Sequence, residues 1–296
     1  MSPDWEPTFA SWAQPPGKTE QDKCDNAERA IRKAADSWAD LASRSRVVFP
    51  QGSYRNRTNV RADSDVDVCI MCTESFFYHI PDGTTPADFD FTTPASYPYA
   101  DFKGDVQAAL VSYFGAGSVR RGKKAFDIHH NTYRVDADVL PAFEYRYYRK
   151  YGSYLKGAAF LPDGGSLTVN WPEQNYANGV QKNDATGRRF KAIVRILKRL
   201  GNKMADEGYA SAGEAPSFLI ECLLWNVPNE GFGHSTYTSD VRWALAHLFN
   251  NTSADSGCTE WREVNKMKYL FRTGQPWTRQ QAHEFISAAW DYVGFE

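Results

Sequence analysis

The chain contains, at residues 49–68, the stretch FPQGSYRNRTNVRADSDVDV. Its first residue ends the short apolar run RVVF (46–49), and its last residues begin the run SDVDVCIMC (64–72), in which apolar residues alternate with other residues. Alternation with a period of two is typical of a half-buried strand. The stretch therefore predicts two strands that are joined by a loop containing Gly52 and Ser53.

Two acidic residues lie at the start of the second predicted strand. Asp65 and Asp67 are two positions apart, so both side chains project from one face, whereas Val66 and Val68 project from the other. Carboxylate oxygens are suitable ligands for hard divalent cations. An Asp-x-Asp pair alone is weak evidence, because acidic residues at the mouth of a strand are commonly just solvated.

The surroundings of this pair strengthen the metal-site interpretation. A third acidic site, either Asp136 or Asp138, lies in the predicted strand TYRVDADVL (132–140). Three carboxylates are what two hard cations require when water and phosphate oxygens supply the other ligands. Gly52 permits close backbone approach, and the hydroxyl of Ser53 with neighbouring amides can hold phosphate oxygens.

The rest of the chain predicts an α+β protein in two lobes. Residues 1–160 combine strands with helices, and residues 161–296 are mostly helical. In the first lobe the patterns predict helices at 25–43, with Asp25 as N-cap, and at 105–114, a loop at 79–103, and a strand at 125–130. In the second they predict helices at 187–204, 216–228, 236–250 and 278–292.

Composition excludes several classes of protein. The chain has 296 residues, of which 42% are hydrophobic and 24% charged, as in ordinary globular proteins. It lacks the run of about 18 apolar residues that a membrane span needs, and its net charge of -2 is atypical of proteins that grip long nucleic acid. No membrane partner and no long nucleic acid are therefore expected.

The five cysteines are an odd number and scattered, which favours reduced thiols and a cytoplasmic protein. Cys69 and Cys72 form a C-x-x-C, but it lies in a predicted buried strand, so we interpret both as structural. His129 and His130 are adjacent on a predicted strand and point to opposite faces, which makes them poor partners for a metal.

Taken together, these segments resemble the polymerase-beta-like nucleotidyltransferase superfamily, and within it the cGAS/DncV-like nucleotidyltransferases. The similar segments span most of the chain, from the first predicted helix into the helical lobe. They are FPQGSYRNRTNVRADSDVDV (49–68), YRVDADVLPAF (133–143), RRFKAIVRILKRL (188–200) and PSFLIE (216–221). The resemblance implies a bilobal fold, with a mixed sheet in the catalytic lobe and helices in the other.

The resemblance also implies catalytic roles for the carboxylates. Asp65 and Asp67 become ligands of two Mg²⁺ ions, for which Mn²⁺ can substitute. Asp138 becomes the third ligand and lowers the pKa of the attacking ribose hydroxyl. Asp136 shares its face by periodicity, and we favour Asp138 because it directly precedes Val-Leu-Pro-Ala-Phe.

A nucleotide-binding set is implied as well. Ser53, in the Gln51-Gly52-Ser53 turn, holds the triphosphate, and Lys198 and Ser217 assist it from the helical lobe. Phe218 stands where the family places an aromatic ring on the donor base. The alternatives are a solvated helix lysine for Lys198 and a plain core residue for Phe218.

The implied function is Mg²⁺-dependent joining of NTPs, with ATP expected among them, into a cyclic di- or trinucleotide second messenger. The family role is bacterial antiphage (CBASS) signalling, in which a downstream effector binds the product and a regulatory protein partner is possible. The alternative is an oligoadenylate synthase-like or terminal nucleotidyltransferase acting on linear oligonucleotide or RNA. A module that binds nucleotides without chemistry and an enzyme that nucleotidylates small molecules are less consistent with the carboxylate set and with the extent of the resemblance.

Overall fold

The computed structural model describes residues 3–60, 65–91, 93–149, 152–254 and 257–296. The chain forms two compact units, each from discontinuous segments. The first, which we call the sheet unit, comprises Gly17–Arg55 and Ser64–Glu173. The second, the helical unit, comprises Met1–Pro16, Asn56–Asp63 and Gln174–Glu296.

The sheet unit is built on a mixed sheet. Its order is β1-β2-β5-β4-β3, and β6 pairs with both β5 and β7. Only the β2–β5 pair is parallel among the described strands, so the chain between them must cross over. The strands are β1 (Arg46–Pro50), β2 (Val66–His79), β3 (Val119–Arg121), β4 (Phe126–Ile128), β5 (Ala137–Tyr148), β6 (Tyr154–Phe160) and β7 (Thr168–Asn170).

Helices pack on the sheet and bury its apolar face. Ile31, Phe102 and Val106 share one buried cluster with Ile70 of β2. Each such side chain stabilises the fold by about 1.5–3 kcal/mol relative to an exposed one. The helices of this part are α2 (Lys18–Ser37), α3 (Ala39–Ala42), α4 (Gly52–Asn56) and α5 (Tyr99–Phe114).

The helical unit has its own core. Ile193, Leu197 and Leu200 are buried at the centre of a cluster that also contains Phe9 and Phe285. The helices are α1 (Glu6–Trp12), α6 (Pro172–Ala185), α7 (Arg189–Asp206), α8 (Ala210–Gly213), α9 (Ser217–Trp225), α10 (Tyr237–Thr252) and α11 (Arg279–Val293). Because Phe9 of α1 packs into this core, the first helix belongs to the helical unit. The compact units differ from the predicted lobes 1–160 and 161–296, because Met1–Pro16 and Asn56–Asp63 belong to the helical unit and the sheet unit extends to Glu173.

The α+β prediction is confirmed. The strands predicted around Val48 and Ile70, and the four helices predicted in the second half, are present. Ser64, predicted as the first residue of the second strand, lies outside the described residues. The sequence patterns did not predict β3, β6, β7, α1, α6 and α8, and the short helix α4 lies where a loop was predicted at Gly52 and Ser53.

Several predicted boundaries are wrong, among them the end of β2, which continues past Cys72 to His79, and the start of β5, which begins at Ala137 and not at residue 132. Helix α2 begins at Lys18, with Gly17 and not Asp25 as N-cap, and Cys24, directly before the predicted start, is buried on the same face as Ala27 and Ile31. It ends at Ser37, where Trp38 takes an extended backbone. Helix α5 begins at Tyr99, directly after Pro98.

Strand β5 continues through Pro141, where the prediction ended it. Pro141 pairs with Ile70 on one side, while on the other side the pairing with β4 stops at Val139 and that with β6 starts at Phe143. The proline lies in the gap between these two partners, where a missing N–H costs no ladder hydrogen bond.

Within the described part of the chain, no helix is both long and apolar enough to cross a bilayer. All five cysteines are free and buried. Burial raises the pKa of the Cys69 and Cys72 thiols above their ordinary range, which agrees with the interpretation of both as structural side chains.

Candidate active site

The two central aspartates lie side by side on parallel strands. Asp67 of β2 is in register with Asp138 of β5, and neighbouring strands are about 4.8 Å apart. Both side chains are half-buried, while Val66 and Val68 are fully buried in the core, as the alternation predicted. The sheet thus presents two carboxylates from adjacent strands on one face.

Asp65 and Asp136 directly precede these two strands. The N–H of Val66 donates to the backbone oxygen of Asp136 at 3.1 Å, which aligns the starts of β2 and β5. The carboxylate of Asp136 accepts from the N–H of His130 at 2.6 Å and lies 3.1 Å from its Nδ1. Asp136 is therefore engaged locally, whereas Asp138 is the residue opposite Asp67.

Asp127 is a further member of the carboxylate cluster that sequence reasoning missed. It lies on β4 in register with Asp138, on the side away from Asp67. Burial, followed by the negative charges of Asp127 and Asp65, raises the pKa of Asp138 to about 6. Such crowding of like charges disfavours the ionised form and is relieved by a bound cation.

Gly52 is fitted closely to Asp67. Its φ of +63° is left-handed, and a Cβ added there would lie 2.0 Å from Oδ2 of Asp67. The N–H of Gln51 also donates to the backbone oxygen of Asp67 at 2.8 Å. Glycine is therefore required at the start of α4, where the half-buried Ser53 follows it.

The donor chemistry of this cluster suits hard divalent cations, because carboxylate oxygens are their preferred ligands. The close fit of the Asp67 carboxylate against the Gly52 backbone also places it beside the predicted phosphate-binding turn. In the side-chain arrangement of the described residues, however, no group of three or more His, Cys, Asp or Glu side chains is placed to hold a metal ion. The residue types and the strand register suit a divalent-cation site, but the described side chains do not converge on one point.

Lys198, predicted to contact the triphosphate, is buried in the helical unit. Its side chain is 2% exposed, and Nζ donates to Oε2 of Glu221 at 3.2 Å and to Oγ1 of Thr58 at 3.3 Å. This excludes the solvated helix lysine that the sequence allowed. The structure places the ammonium in a buried ion pair, and its contact with a triphosphate stays a prediction.

Ser217 and Phe218 open helix α9 and are both exposed. The first amides of a helix have no partner within the helix, and with the Ser217 hydroxyl they form a suitable place for an anion. Phe218 is 36% exposed and meets Trp277 edge-on, with ring centroids 6.1 Å apart. It is therefore not the plain core residue that an apolar helix suggested.

The mixed sheet with its paired aspartates and the separate helical unit define a nucleotidyltransferase of the polymerase-beta-like class. A family model for the cGAS/DncV-like nucleotidyltransferase C-terminal helical domain matches residues 177–294. The chain is 45% identical to the cyclic dipyrimidine nucleotide synthase CdnE of Legionella pneumophila, over 99% of each protein. The chain therefore belongs to the cGAS/DncV-like nucleotidyltransferases.

Two further relatives support this assignment over the full length. The chain is 34% identical to a cyclic dipurine nucleotide synthase of Elizabethkingia meningoseptica, over 98% of this chain and 99% of that protein. The solved structure of the Rhodothermus marinus CdnE c-UMP-AMP synthase with Apcpp and Upnpp superposes with a TM-score of 0.87. It is 30% identical and covers 99% of this chain and 98% of its own.

Proposed function

We propose that the protein joins two NTPs into a cyclic dinucleotide in a reaction that needs Mg²⁺. The observation that carries the proposal is the register of Asp67 with Asp138 on adjacent parallel strands, with Asp65 directly before the first of them. The family of cyclic nucleotide synthases to which the chain belongs supports it.

In the proposed reaction, a ribose hydroxyl attacks the α-phosphate of an NTP in line, and pyrophosphate leaves. Asp65, Asp67 and Asp138 would hold two divalent cations, which when bound neutralise charge on the triphosphate and activate the nucleophile. The chain itself contributes orientation: the turn at Gln51 and Gly52 places Gly52 against Asp67, and the hydroxyl of Ser53, the next residue, can donate to a phosphate oxygen.

In the same proposal, the helical unit contacts the donor nucleotide through Ser217 and Phe218. The exposed hydroxyl at the start of α9 supports a phosphate contact, and the exposed ring of Phe218 supports stacking on the base. Base stacking on an aromatic side chain contributes about 1–3 kcal/mol and tolerates different bases.

Phe218→Ala is expected to raise the KM for NTP about tenfold and to change kcat little, because stacking acts on the bound substrate as well as on the transition state. Steady-state kinetics with varied NTP checks this. The matched control is Phe249→Ala, which removes a ring that is 39% exposed on α10. Equal KM values for the two variants would show that Phe218 does not contact the nucleotide.

We further propose pyrimidine NTPs as preferred substrates. The support is similarity: the relatives at 45% and 38% identity are both named cyclic dipyrimidine nucleotide synthases. With Mg²⁺ and every pairwise combination of ATP, GTP, CTP and UTP, the largest yield is expected from CTP and UTP, as a nuclease-resistant product with the mass of a cyclic dinucleotide. A dominant purine product would contradict the base preference and leave the cyclisation intact.

The proposed setting is antiphage signalling in the cytoplasm, with an effector that binds the product and a regulatory protein partner. Five free, buried thiols support a reducing compartment. The alternative is synthesis of linear oligonucleotides or extension of RNA. A linear product, or a strict requirement for added RNA, would favour that alternative.

A further inference from the structure

A short segment lies in the sequence between the Gly52-Ser53 turn and Asp65. Its residues Arg57 and Thr58 form hydrogen bonds within the helical unit. Residues 56–60 follow Ser53 and precede Asp65, and their contacts assign them to the helical unit. Thr58 and Asn59 lie in no strand, yet Thr58 is fully buried and Asn59 is only 6% exposed. Polar groups buried to this extent need partners, so the packing around them is specific.

The partners of Thr58 are the buried pair Lys198 and Glu221. The Thr58 hydroxyl donates to Oε2 of Glu221 at 2.7 Å and accepts from Nζ of Lys198 at 3.3 Å. The side chains of Lys198 and Glu221 are 2% and 3% exposed. Because removing two charges from water is costly, such a pair is weak evidence for stability.

A second contact fixes the residue before Thr58. Arg57 has a left-handed φ of +55°, which is unfavourable for a residue with a Cβ. Its backbone oxygen accepts from Nη1 of Arg195 at 2.6 Å, and Nε of Arg195 donates to the backbone oxygen of Ala13 at 2.8 Å. Arg195 and Lys198 are one turn apart on α7, so a single helix face holds two consecutive residues of the segment.

We propose that Thr58, Lys198 and Glu221 form a positioning cluster that fixes the backbone directly after α4, the helix that begins with Gly52 and Ser53. The inference rests on the nucleotidyl transfer proposed above and assigns Lys198 a different role from triphosphate binding. The cluster touches no reacting atom. Its effect is to hold Arg57 and Thr58, the two residues that follow α4, in one backbone conformation.

The test compares Thr58→Val with Thr252→Val. Each change removes one fully buried hydroxyl of the helical unit. The Thr252 hydroxyl donates to the backbone oxygen of Leu248 at 2.7 Å, outside the cluster. Thr58→Val is expected to lower kcat about tenfold without a change in the KM for NTP, because small displacements of catalytic groups cost rate and not ground-state binding. Thr252→Val is expected to keep the wild-type kcat, with a similar melting temperature.

A charge-neutral background separates positioning from phosphate binding. Lys198→Met with Glu221→Met removes the pair without leaving one buried charge unpaired. In this background Thr58→Val is expected to have no further effect on kcat, since the partners of its hydroxyl are gone.

Three results would overturn the inference: equal kcat for Thr58→Val and Thr252→Val, a loss confined to the KM for NTP, or the same Thr58→Val factor in both backgrounds. A wild-type protein that consumes no NTP would instead contradict the proposed function, and the inference with it.

Discussion

Replacing Gly52 by alanine is expected to lower the rate of NTP consumption about a hundredfold while reducing the free energy of unfolding by only about 1–2 kcal/mol. The new Cβ would lie 2.0 Å from Oδ2 of Asp67, so the carboxylate or the turn must move. The φ of +63° adds a modest backbone penalty. Initial rates of pyrophosphate release and urea unfolding of the same preparation measure the two effects.

Gly83 provides the matched control. It has a φ of +80° in the sheet unit, and nothing lies within 4 Å of a Cβ added there. Gly83→Ala should therefore show a similar loss of unfolding free energy with the wild-type rate. If Gly52→Ala were as active as Gly83→Ala, catalysis would not depend on the position of the Asp67 carboxylate against Gly52.

Asp138→Asn is expected to lower the rate about a thousandfold. The substitution keeps the shape of the side chain and removes the charge opposite Asp67. Cations at such sites supply several kcal/mol of transition-state stabilisation, and about 4 kcal/mol corresponds to this factor. Pyrophosphate release at saturating NTP and Mg²⁺ measures it.

Asp136→Asn is the control for that experiment. Asp136 has the same charge two residues earlier, but its carboxylate is bonded to His130. Most of the wild-type rate should remain. A larger loss in Asp136→Asn than in Asp138→Asn would reverse the choice between the two aspartates.

Local periodicity predicted the part of the site that depends on one strand. The alternation alone predicts Asp67 on β2 with Val66 and Val68 in the core, and Asp65, predicted inside the strand, directly precedes it. The sequence did not distinguish Asp136 from Asp138 by periodicity. The pairing of β2 with β5 places Asp138 opposite Asp67, and this register depends on contacts between residues 71 positions apart in the sequence.

Other features depend on tertiary contacts that no local pattern contains. Asp127 joins the cluster only because β4 pairs with β5 in one register. The sequence allowed Lys198 to be a solvated lysine or a phosphate ligand. In the structure its buried ammonium is bonded to Glu221 and to Thr58 of a distant segment.

The most direct test of the central claim compares the wild-type protein with Asp65→Asn/Asp67→Asn. Both are incubated with the four NTPs and Mg²⁺, and pyrophosphate and cyclic product are measured together. The wild type is predicted to release pyrophosphate and form a nuclease-resistant cyclic dinucleotide, and the folded double variant to form neither. NTP consumption by the double variant at the wild-type rate would contradict the assignment of the reaction to these carboxylates.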